Sequence, residues 1–242
     1  MIKLCKIGKN KYTFNKEIFL LENDLSFYLL GAYMTDGNIN DKKHHISFSL
    51  SSIDEDWLIN IRNIISPEKP IYQDKERKCY TLATSNIDVI NWLISYGCTP
   101  NKSKTLKIEK EIPDEYKRDF IRGVLDGDGS ISFSPYKKIK NGKEYNYMKT
   151  HSYICSASKT FLESIKMMIP IEINCNINLI KQNNSFIRGK EVKATCDHYR
   201  LTFNDSYAKK LFAWIYYPNN KLSLMRKEKL ANNILNCSRG RI

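Results

Sequence analysis

The stretch GAYMTDGNI, residues 31–39, recurs as GVLDGDGSI, residues 123–131, and both copies read G-x-x-x-x-D-G-x-I. Each copy continues an apolar run that predicts a buried helix, and each leads to an acid, Asp36 or Asp128. The carboxyl end of a helix carries partial negative charge and therefore disfavours a carboxylate. We expect a cation to compensate for each acid, and we call the two stretches the first and second motifs.

The residues that follow the two motifs repeat as well. WLINIRNII, residues 57–65, and FLESIKMMI, residues 161–169, carry apolar residues at the same helical offsets. Alternating apolar and polar residues, as in HHISFSLS at residues 44–51, predict strands before each of these helices. Further strands and a further helix complete each half, around residues 78–95 and 198–217. The sequence therefore predicts an α+β fold with two pseudo-symmetric halves, each ordered αββαββα.

Pro113 is the expected boundary between the halves, because the residue before a proline leaves helical space and a new helix can begin after it. We predict one half at residues 1–112, which includes a basic N-terminal arm, and the other at residues 113–242. The second half is longer mainly through SPYKKIKNGKEYNY, residues 134–147. Its lysines are candidates for phosphate contacts, and a solvated hairpin tip is the alternative interpretation.

The composition indicates a folded, basic protein. There are 39 Lys and Arg residues against 26 Asp and Glu, a net charge of +13, while 42% of residues are hydrophobic. This charge favours a polyanionic partner such as nucleic acid, although a merely basic soluble protein has the same composition. The seven cysteines form no C-x-x-C pair, and His44 and His45 would point to opposite faces of a strand, which argues against zinc. We find no signal peptide and no membrane-spanning run, so we expect a soluble intracellular protein, in the cytoplasm or an organelle.

Gly31 and Gly123 predict how the two halves meet. A glycine inside a helix costs up to about 1 kcal/mol relative to alanine, so we expect a close backbone contact at each. If the two motif helices pack there, Asp36 and Asp128 emerge side by side and repel each other unless a divalent cation lies between them. Mg²⁺ suits such oxygen ligands and substrate phosphates. The alternative is that both acids merely end their helices in Asp-Gly turns.

The motifs resemble those of the LAGLIDADG homing endonucleases. IRGVLDGDG, residues 121–129, is close to the second motif of that family, and LLGAYMTDG, residues 29–37, is a looser first motif. The resemblance covers nearly the whole chain and implies a single-chain, site-specific DNA endonuclease. Such an enzyme holds a long double-stranded target on a saddle of two antiparallel sheets and cuts both strands to leave short 3′ overhangs. It uses Mg²⁺, for which Mn²⁺ may substitute. The ends of the chain do not resemble intein splicing ends, so we expect a freestanding or intron-encoded protein.

The resemblance also assigns roles to individual residues. The last acid of each motif, Asp36 or Asp128, would bind metal, and we expect the preceding residues Thr35 and Gly127 to belong to the same site. The earlier motif acid matches Asp126, but Met34 stands at that position in the first motif, where helix packing is implied rather than metal binding. Basic residues near the scissile phosphates would be Lys227 and Lys107, with three rivals to the latter, Lys102, Lys104 and Lys110. Polar residues that order the solvent would be Ser51 and Cys155.

The polar faces of the predicted strands are the expected DNA-reading surface. In the first half the candidates are Asn40, Lys43, His45, Ser47, Ser49, Tyr72, Gln73, Lys75, Arg77, Lys78 and Tyr80. In the second half they are Ser132, Tyr136, Lys138, Lys143, Lys149, His151, Lys181, Gln182, Asn184, His198 and Arg200.

Two other classes of function share this expected fold. One is an intron-splicing maturase, and the other is a regulator that binds DNA without cutting it. Retention of both Asp36 and Asp128 favours cleavage. We expect a monomer, because the duplication already supplies the twofold arrangement that a single-motif protein obtains by dimerising.

Overall fold

The computed structural model describes residues 12–40, 45–76, 78–181, 185–187, 190–192 and 197–237. Its first part comprises α1 (Glu17–Leu20), α2 (Asp24–Thr35), β1 (Gly37–Asn40), β2 (His45–Ser51), α3 (Glu55–Ile65), β3 (Tyr72–Asp74), β4 (Cys79–Thr84) and α4 (Ile87–Ser95). Its second part comprises α5 (Lys117–Asp128), β5 (Gly129–Lys140), β6 (Lys143–Ser156), α6 (Lys159–Met168), β7 (Asn176–Ile180), β8 (Ser185–Ile187), β9 (Lys190–Val192), β10 (His198–Asn204), α7 (Asp205–Ile215) and α8 (Met225–Asn236).

The two main sheets have the same strand order, which confirms the predicted α+β fold of two similar halves. One sheet runs β1-β2-β4-β3 and the other β5-β6-β10-β7, and neighbouring strands in both are antiparallel. The second part adds two features that the sequence did not predict, a β8–β9 hairpin between β7 and β10 and the helix α8. The β5–β6 hairpin is also much longer than its β1–β2 counterpart.

The first motif forms α2, which is buried on all sides. Asn23 begins this helix, since its side chain accepts hydrogen bonds from the amides of Leu25 and Ser26 while Ser26 Oγ accepts one from the amide of Asn23. All residues from 26 to 34 are buried, as expected for a helix packed on several sides. Such a helix has no solvent-exposed face, which explains why its sequence is apolar almost throughout.

Helices α2 and α5 pack against each other through their glycines. A Cβ atom on Gly31 would lie 2.3 Å from the carbonyl oxygen of Phe120, and one on Gly123 would lie 2.1 Å from that of Tyr28. Neither distance is compatible with a side chain larger than hydrogen. The close backbone contact predicted from the two glycines is therefore confirmed, and it joins the two halves.

The remaining helices cover one face of each sheet. On that face of the first sheet, Phe48 of β2 lies between Tyr33 of α2 and Trp57 of α3, with ring centroids 5.3 Å and 5.2 Å away. In the other sheet, Ile154 and Leu201 are fully buried. The alternate residues of each strand form the open face, meaning the face turned away from this core. Among the residues that the structure describes, no helix combines the length and apolar character needed to cross a membrane.

Candidate active site

The two motif acids lie at the adjoining ends of α2 and α5. Asp36 is the C-cap residue of α2, and Asp128 is the last residue of α5. A Cβ atom on Gly127 would lie 2.0 Å from Oγ1 of Thr35 and 3.0 Å from Oδ2 of Asp36. The last turns of the two helices are therefore in contact, and glycine at position 127 leaves room for Thr35.

The electrostatics of the two acids are consistent with close carboxylates. Burial, reinforced by the charge of Asp128, raises the pKa of Asp36 to about 7, while Lys227 acts in the opposite direction. Partial burial of its carboxylate also raises the pKa of Asp128, a residue whose total surface is exposed, and Lys227 and Lys102 oppose that shift. Asp36 is thus protonated at much higher pH than an ordinary aspartate. A divalent cation could take the place of that proton.

The donor set at this position fits a hard divalent cation. In the described ranges, no group of three or more His, Cys, Asp or Glu side chains is placed to hold a metal. Mg²⁺ needs few protein ligands, since it keeps several waters and binds substrate phosphate. Gly127 has no side chain and could contribute only its carbonyl oxygen. Thr35 could offer its carbonyl oxygen or the lone pairs of its hydroxyl, whose proton is donated to carbonyls of its own helix. Metal binding by all four residues stays a prediction.

Lys227 provides the cation expected at the end of the second motif helix. Its side chain is 4% exposed, and Nζ donates to the carbonyl oxygens of Asp126 at 2.6 Å, Gly129 at 2.7 Å and Leu125 at 2.8 Å. The carbonyl of Gly127 lies farther away, at 3.3 Å. Burial lowers the pKa of Lys227 to about 8. Because an ammonium group has three protons, the three short bonds use its full donor capacity.

In the first half the structure places Lys102, rather than Lys107, at the equivalent position. Lys102 is buried, and its Nζ donates to the carbonyl oxygen of Gly37, the counterpart of Gly129. Lys107 is instead exposed, and it forms an ion pair with Glu109 at 2.8 Å. The reason is local, because the 3₁₀ turn Lys102–Lys104 directs one of its lysines inward. Lys107 is thus replaced by Lys102 as the candidate.

The two other rivals also lie away from the acids. Lys104 is exposed, and Lys110 pairs with Glu22 at 2.6 Å. Neither is among the groups that influence the pKa of Asp36 or Asp128.

Asp126 holds the helix interface together, which is the role implied for the earlier motif acid. Its carboxylate accepts hydrogen bonds from Tyr28 at 2.8 Å, Tyr216 at 2.7 Å and the amide of Leu224 at 2.8 Å. The indole of Trp57 donates in turn to Tyr28 Oη at 2.7 Å. Burial raises the pKa of Asp126, and these donors counteract the shift. Met34, at the matching position of the first motif, is buried as well.

Strand register corrects one of the two predicted solvent-ordering residues. Gly129 pairs with Ile154, so Asp128 is next to Cys155, as expected. Gly37 pairs with Phe48, which places Ser49, and not Ser51, next to Asp36. Ser51 is exposed at the end of β2. The connection from β2 to α3, which includes the 3₁₀ turn Ser52–Asp54, is longer than that from β6 to α6. The prediction of Ser51 assumes that the strand residue precedes Trp57 by as many residues as Cys155 precedes Phe161. Because the first connection is longer, this count gives a residue too far along β2.

The first sheet places five of its predicted DNA-reading residues on the open face and two on the opposite face. Tyr80 pairs with the core residue Leu50 and packs against the core, and Gln73 donates a hydrogen bond to Tyr80 Oη at 2.9 Å. Both therefore lie on the helix side of the sheet. The predicted residues on the open face are Asn40, His45, Ser47, Ser49 and Tyr72, while Lys75 and Lys78 lie in the β3–β4 turn. Asn38, which was not predicted, pairs with Ser47 on the same face.

The second sheet has a more basic and aromatic open face. Its predicted residues there are Ser132, Tyr136, Lys143, Lys149, His151, His198 and Arg200, and Lys181 directly follows β7. Tyr145, Tyr147, Tyr153 and Asn178 belong to the same face and were missed, although the alternation of β6 pointed to its three tyrosines. Lys43, Arg77, Gln182 and Asn184 lie outside the described residues, and only the backbone of Lys138 is described. DNA contact by any of these residues stays a prediction.

Comparison with solved structures identifies the architecture. The LAGLIDADG homing endonuclease I-LtrWI, solved bound to target DNA, is similar with a TM-score of 0.53 and 13% sequence identity, over 87% of this chain and 89% of that chain. The chain has the LAGLIDADG fold. A further LAGLIDADG structure, the N-terminal LAGLIDADG domain of DUF199/WhiA, has a TM-score of 0.41 and 14% identity, over 99% of this chain and 96% of that chain.

Sequence comparison finds a distant relative. An uncharacterized protein of Methanocaldococcus jannaschii is 22% identical over 223 residues, which cover 88% of this LAGLIDADG chain and 73% of that protein. No family model matches the chain.

Proposed function

We propose that this protein is a site-specific DNA endonuclease that depends on a divalent metal, with Mg²⁺ as the natural cofactor and Mn²⁺ as a substitute. The observation that carries the proposal is the pair Asp36 and Asp128, which the glycine contact of α2 and α5 holds at adjoining helix ends. Two such acids with raised pKa values are costly to keep unless they bind something. The fold shared with a DNA-bound homing endonuclease adds support.

Each residue of the site would have a distinct task. Asp36 and Asp128 would hold the metal, which when bound activates water and stabilises charge on the phosphate. Lys227 and Lys102 neutralise the carboxyl ends of the motif helices, and their charges oppose protonation of Asp128. The lysines would thus keep the acids available to metal at neutral pH, without contacting the substrate.

The open faces of the two sheets would bind the DNA. The chain carries a net charge of +13, and the open face of the second sheet presents two lysines, three tyrosines and a histidine along β6. Basic side chains would contact phosphates, while polar side chains in the major groove would read bases. The duplication within one chain supports a monomer that binds a long, asymmetric double-stranded target.

The test uses a DNA duplex selected for binding from a randomised library in Ca²⁺, which is then incubated with the protein in Mg²⁺ or Mn²⁺. We expect cleavage of both strands with short 3′ overhangs. Asp36→Asn and Asp128→Asn should each slow cleavage by about 100-fold, since each removes a charged ligand at the reaction centre. Asp114→Asn, at an exposed residue beside Lys117, is the control and should cleave at the rate of the unaltered protein.

The same experiment separates the alternatives. Tight, sequence-selective binding without cleavage in either metal would contradict the nuclease proposal and assign a DNA-binding regulator. A preference for structured intron RNA, with faster splicing of that RNA, would assign a maturase instead.

A further inference from the structure

Three neighbouring strands bring a second positive group towards Asp128. Gly129 pairs with Ile154 across β5 and β6, so Asp128 is adjacent to Cys155. Arg200 of β10 pairs directly with Cys155 on the other side of β6. Directly paired residues project from the same face of a sheet, so Arg200 and Cys155 share the open face. Burial raises the pKa of the Cys155 thiol, Arg200 lowers it through a hydrogen bond and its charge, and Asp128 raises it, so both charged residues lie close to Cys155.

The guanidinium of Arg200 stacks on a tyrosine of the open face. Its central carbon is 4.5 Å from the ring centroid of Tyr153, which is the cation–π arrangement. The Nε–H group is buried and has no hydrogen-bond partner among the described residues, while the Arg200 side chain also hydrogen-bonds the side chain of Cys155. Arg200 therefore keeps unused donor capacity, whereas Lys227, the nearer cation, has committed its three protons to backbone carbonyls.

The first half has no charge at the positions that correspond to Cys155 and Arg200. Asp36 is adjacent to Ser49, and Ser49 pairs with Thr81 of β4. The two hydroxyl groups of Ser49 and Thr81 are hydrogen-bonded to each other at 2.8 Å. A neutral hydroxyl pair thus stands where the second half has Cys155 and Arg200, and the two reaction centres differ in charge although the backbone around them is duplicated.

The geometry points to Arg200 as a catalytic residue that contacts the phosphate bound next to Asp128 and makes the protein cut its two DNA strands at unequal rates. This inference rests on the proposed nuclease function. During hydrolysis a water oxygen forms a bond to phosphorus, the bond from phosphorus to the leaving sugar oxygen breaks, and the proton lost by the water ends on that oxygen. The guanidinium would stabilise the negative charge that accumulates on the phosphate oxygens in the transition state. At the first centre Thr81 supplies no such charge.

The experiment follows each strand separately. A duplex selected for binding in Ca²⁺ is labelled differently on its two strands and cleaved in Mg²⁺ under single-turnover conditions. The unaltered protein should cut one strand about 10-fold faster than the other. Arg200→Thr, which copies Thr81, should slow the faster strand about 10-fold, leave the slower strand unchanged and so make the two rates equal. Arg200→Lys should give an intermediate rate, because it keeps the charge but loses the planar fork.

Arg118→Thr is the matched control. Arg118 also stacks on a tyrosine, with its central carbon 3.7 Å from the ring centroid of Tyr217, but it lies near the opposite end of α5. This variant should keep the strand bias of the unaltered protein. DNA affinity in Ca²⁺ and the melting temperature of each variant show whether binding or folding has changed.

The outcomes separate this inference from the proposed function. If the unaltered protein binds DNA but cuts neither strand, the nuclease proposal fails and the role of Arg200 fails with it. If the protein cuts both strands at the same rate, or if Arg200→Thr slows both strands equally, the nuclease proposal stands and the role of Arg200 is wrong.

Discussion

At the scale of single residues, Asp36 shows how the site is linked to pH. Burial and the charge of Asp128 raise its pKa from 3.8 to about 7. The folded protein therefore binds this proton more tightly than the unfolded chain does. The resulting contribution to stability is complete below about pH 4 and is lost as the pH rises through 7.

Asp36→Asn should consequently stabilise the protein at high pH. The variant removes an ionised group that the fold disfavours, so we expect its free energy of unfolding to exceed that of the unaltered protein by about 1–2 kcal/mol at pH 8, a value discounted for solvent screening. The difference should disappear near pH 4. Urea unfolding at pH 4, 6 and 8 measures it. A constant difference at all three pH values would contradict the assigned pKa.

Added Mg²⁺ gives an independent check of the same residue. A cation that binds only the folded state stabilises it by mass action. The unaltered protein should gain stability at pH 8 when Mg²⁺ is added, and Asp36→Asn should gain much less.

At the scale of structural elements, the contact between α2 and α5 depends on the missing side chains of Gly31 and Gly123. Gly31→Ala would place a Cβ atom 2.3 Å from the carbonyl oxygen of Phe120, and Gly123→Ala would place one 2.1 Å from that of Tyr28. Overpacking costs about 1–3 kcal/mol, which exceeds the gain of up to about 1 kcal/mol that alanine brings within a helix. Both variants should therefore unfold at lower urea concentration.

Gly142 provides the control for this comparison. It lies in the β5–β6 turn at φ 72°, and a Cβ atom there would meet nothing within 4 Å. Asn tolerates the left-handed conformation, so Gly142→Asn should change stability by only a few tenths of a kcal/mol. Equal effects at all three glycines would contradict a specific role of the helix contact.

The element scale also shows what the sequence could and could not predict. The motif repeat and the apolar periodicities were sufficient for the order of helices and strands, because both reflect which faces are buried. They could not distinguish Ser49 from Ser51, since register depends on strand pairing and an added turn shifts it by two residues without changing the alternation. The sequence likewise could not distinguish Lys102 from the neighbouring lysines, because only the turn Lys102–Lys104 decides which lysine faces inward.

At the scale of the whole molecule, the two halves differ in the length of their longest strands. Strand β6 has 14 residues and β2 has 7. At about 3.3 Å per residue these strands span about 46 Å and 23 Å. If DNA lies along the open faces, the protected segment should extend farther from the cleavage position on the side of the second half, by roughly 20 Å.

Shortening the β5–β6 hairpin tests this asymmetry. Replacing residues 137–146 by a two-residue Asn-Gly turn, which joins the paired residues Tyr136 and Tyr147, should remove protection at the far end of the longer side and leave the other side unchanged. Hydroxyl-radical footprinting measures both sides in one experiment. Loss of protection on both sides, or on neither, would contradict the assignment of this hairpin to one half of the target.

Helix α8 makes the order of synthesis matter for this protein. The start of this helix contacts residues that are far away in the sequence. Lys227 donates to the end of α5, and Arg226 forms an ion pair with Asp54. The amide of Leu224, just before the helix, donates to Asp126. A chain still on the ribosome exposes both motifs long before α8 emerges. It therefore carries both acids without the cation that neutralises the second helix end. If the site cleaves DNA as proposed, cleavage would begin only after α8 has docked, and an incompletely made chain would leave DNA intact.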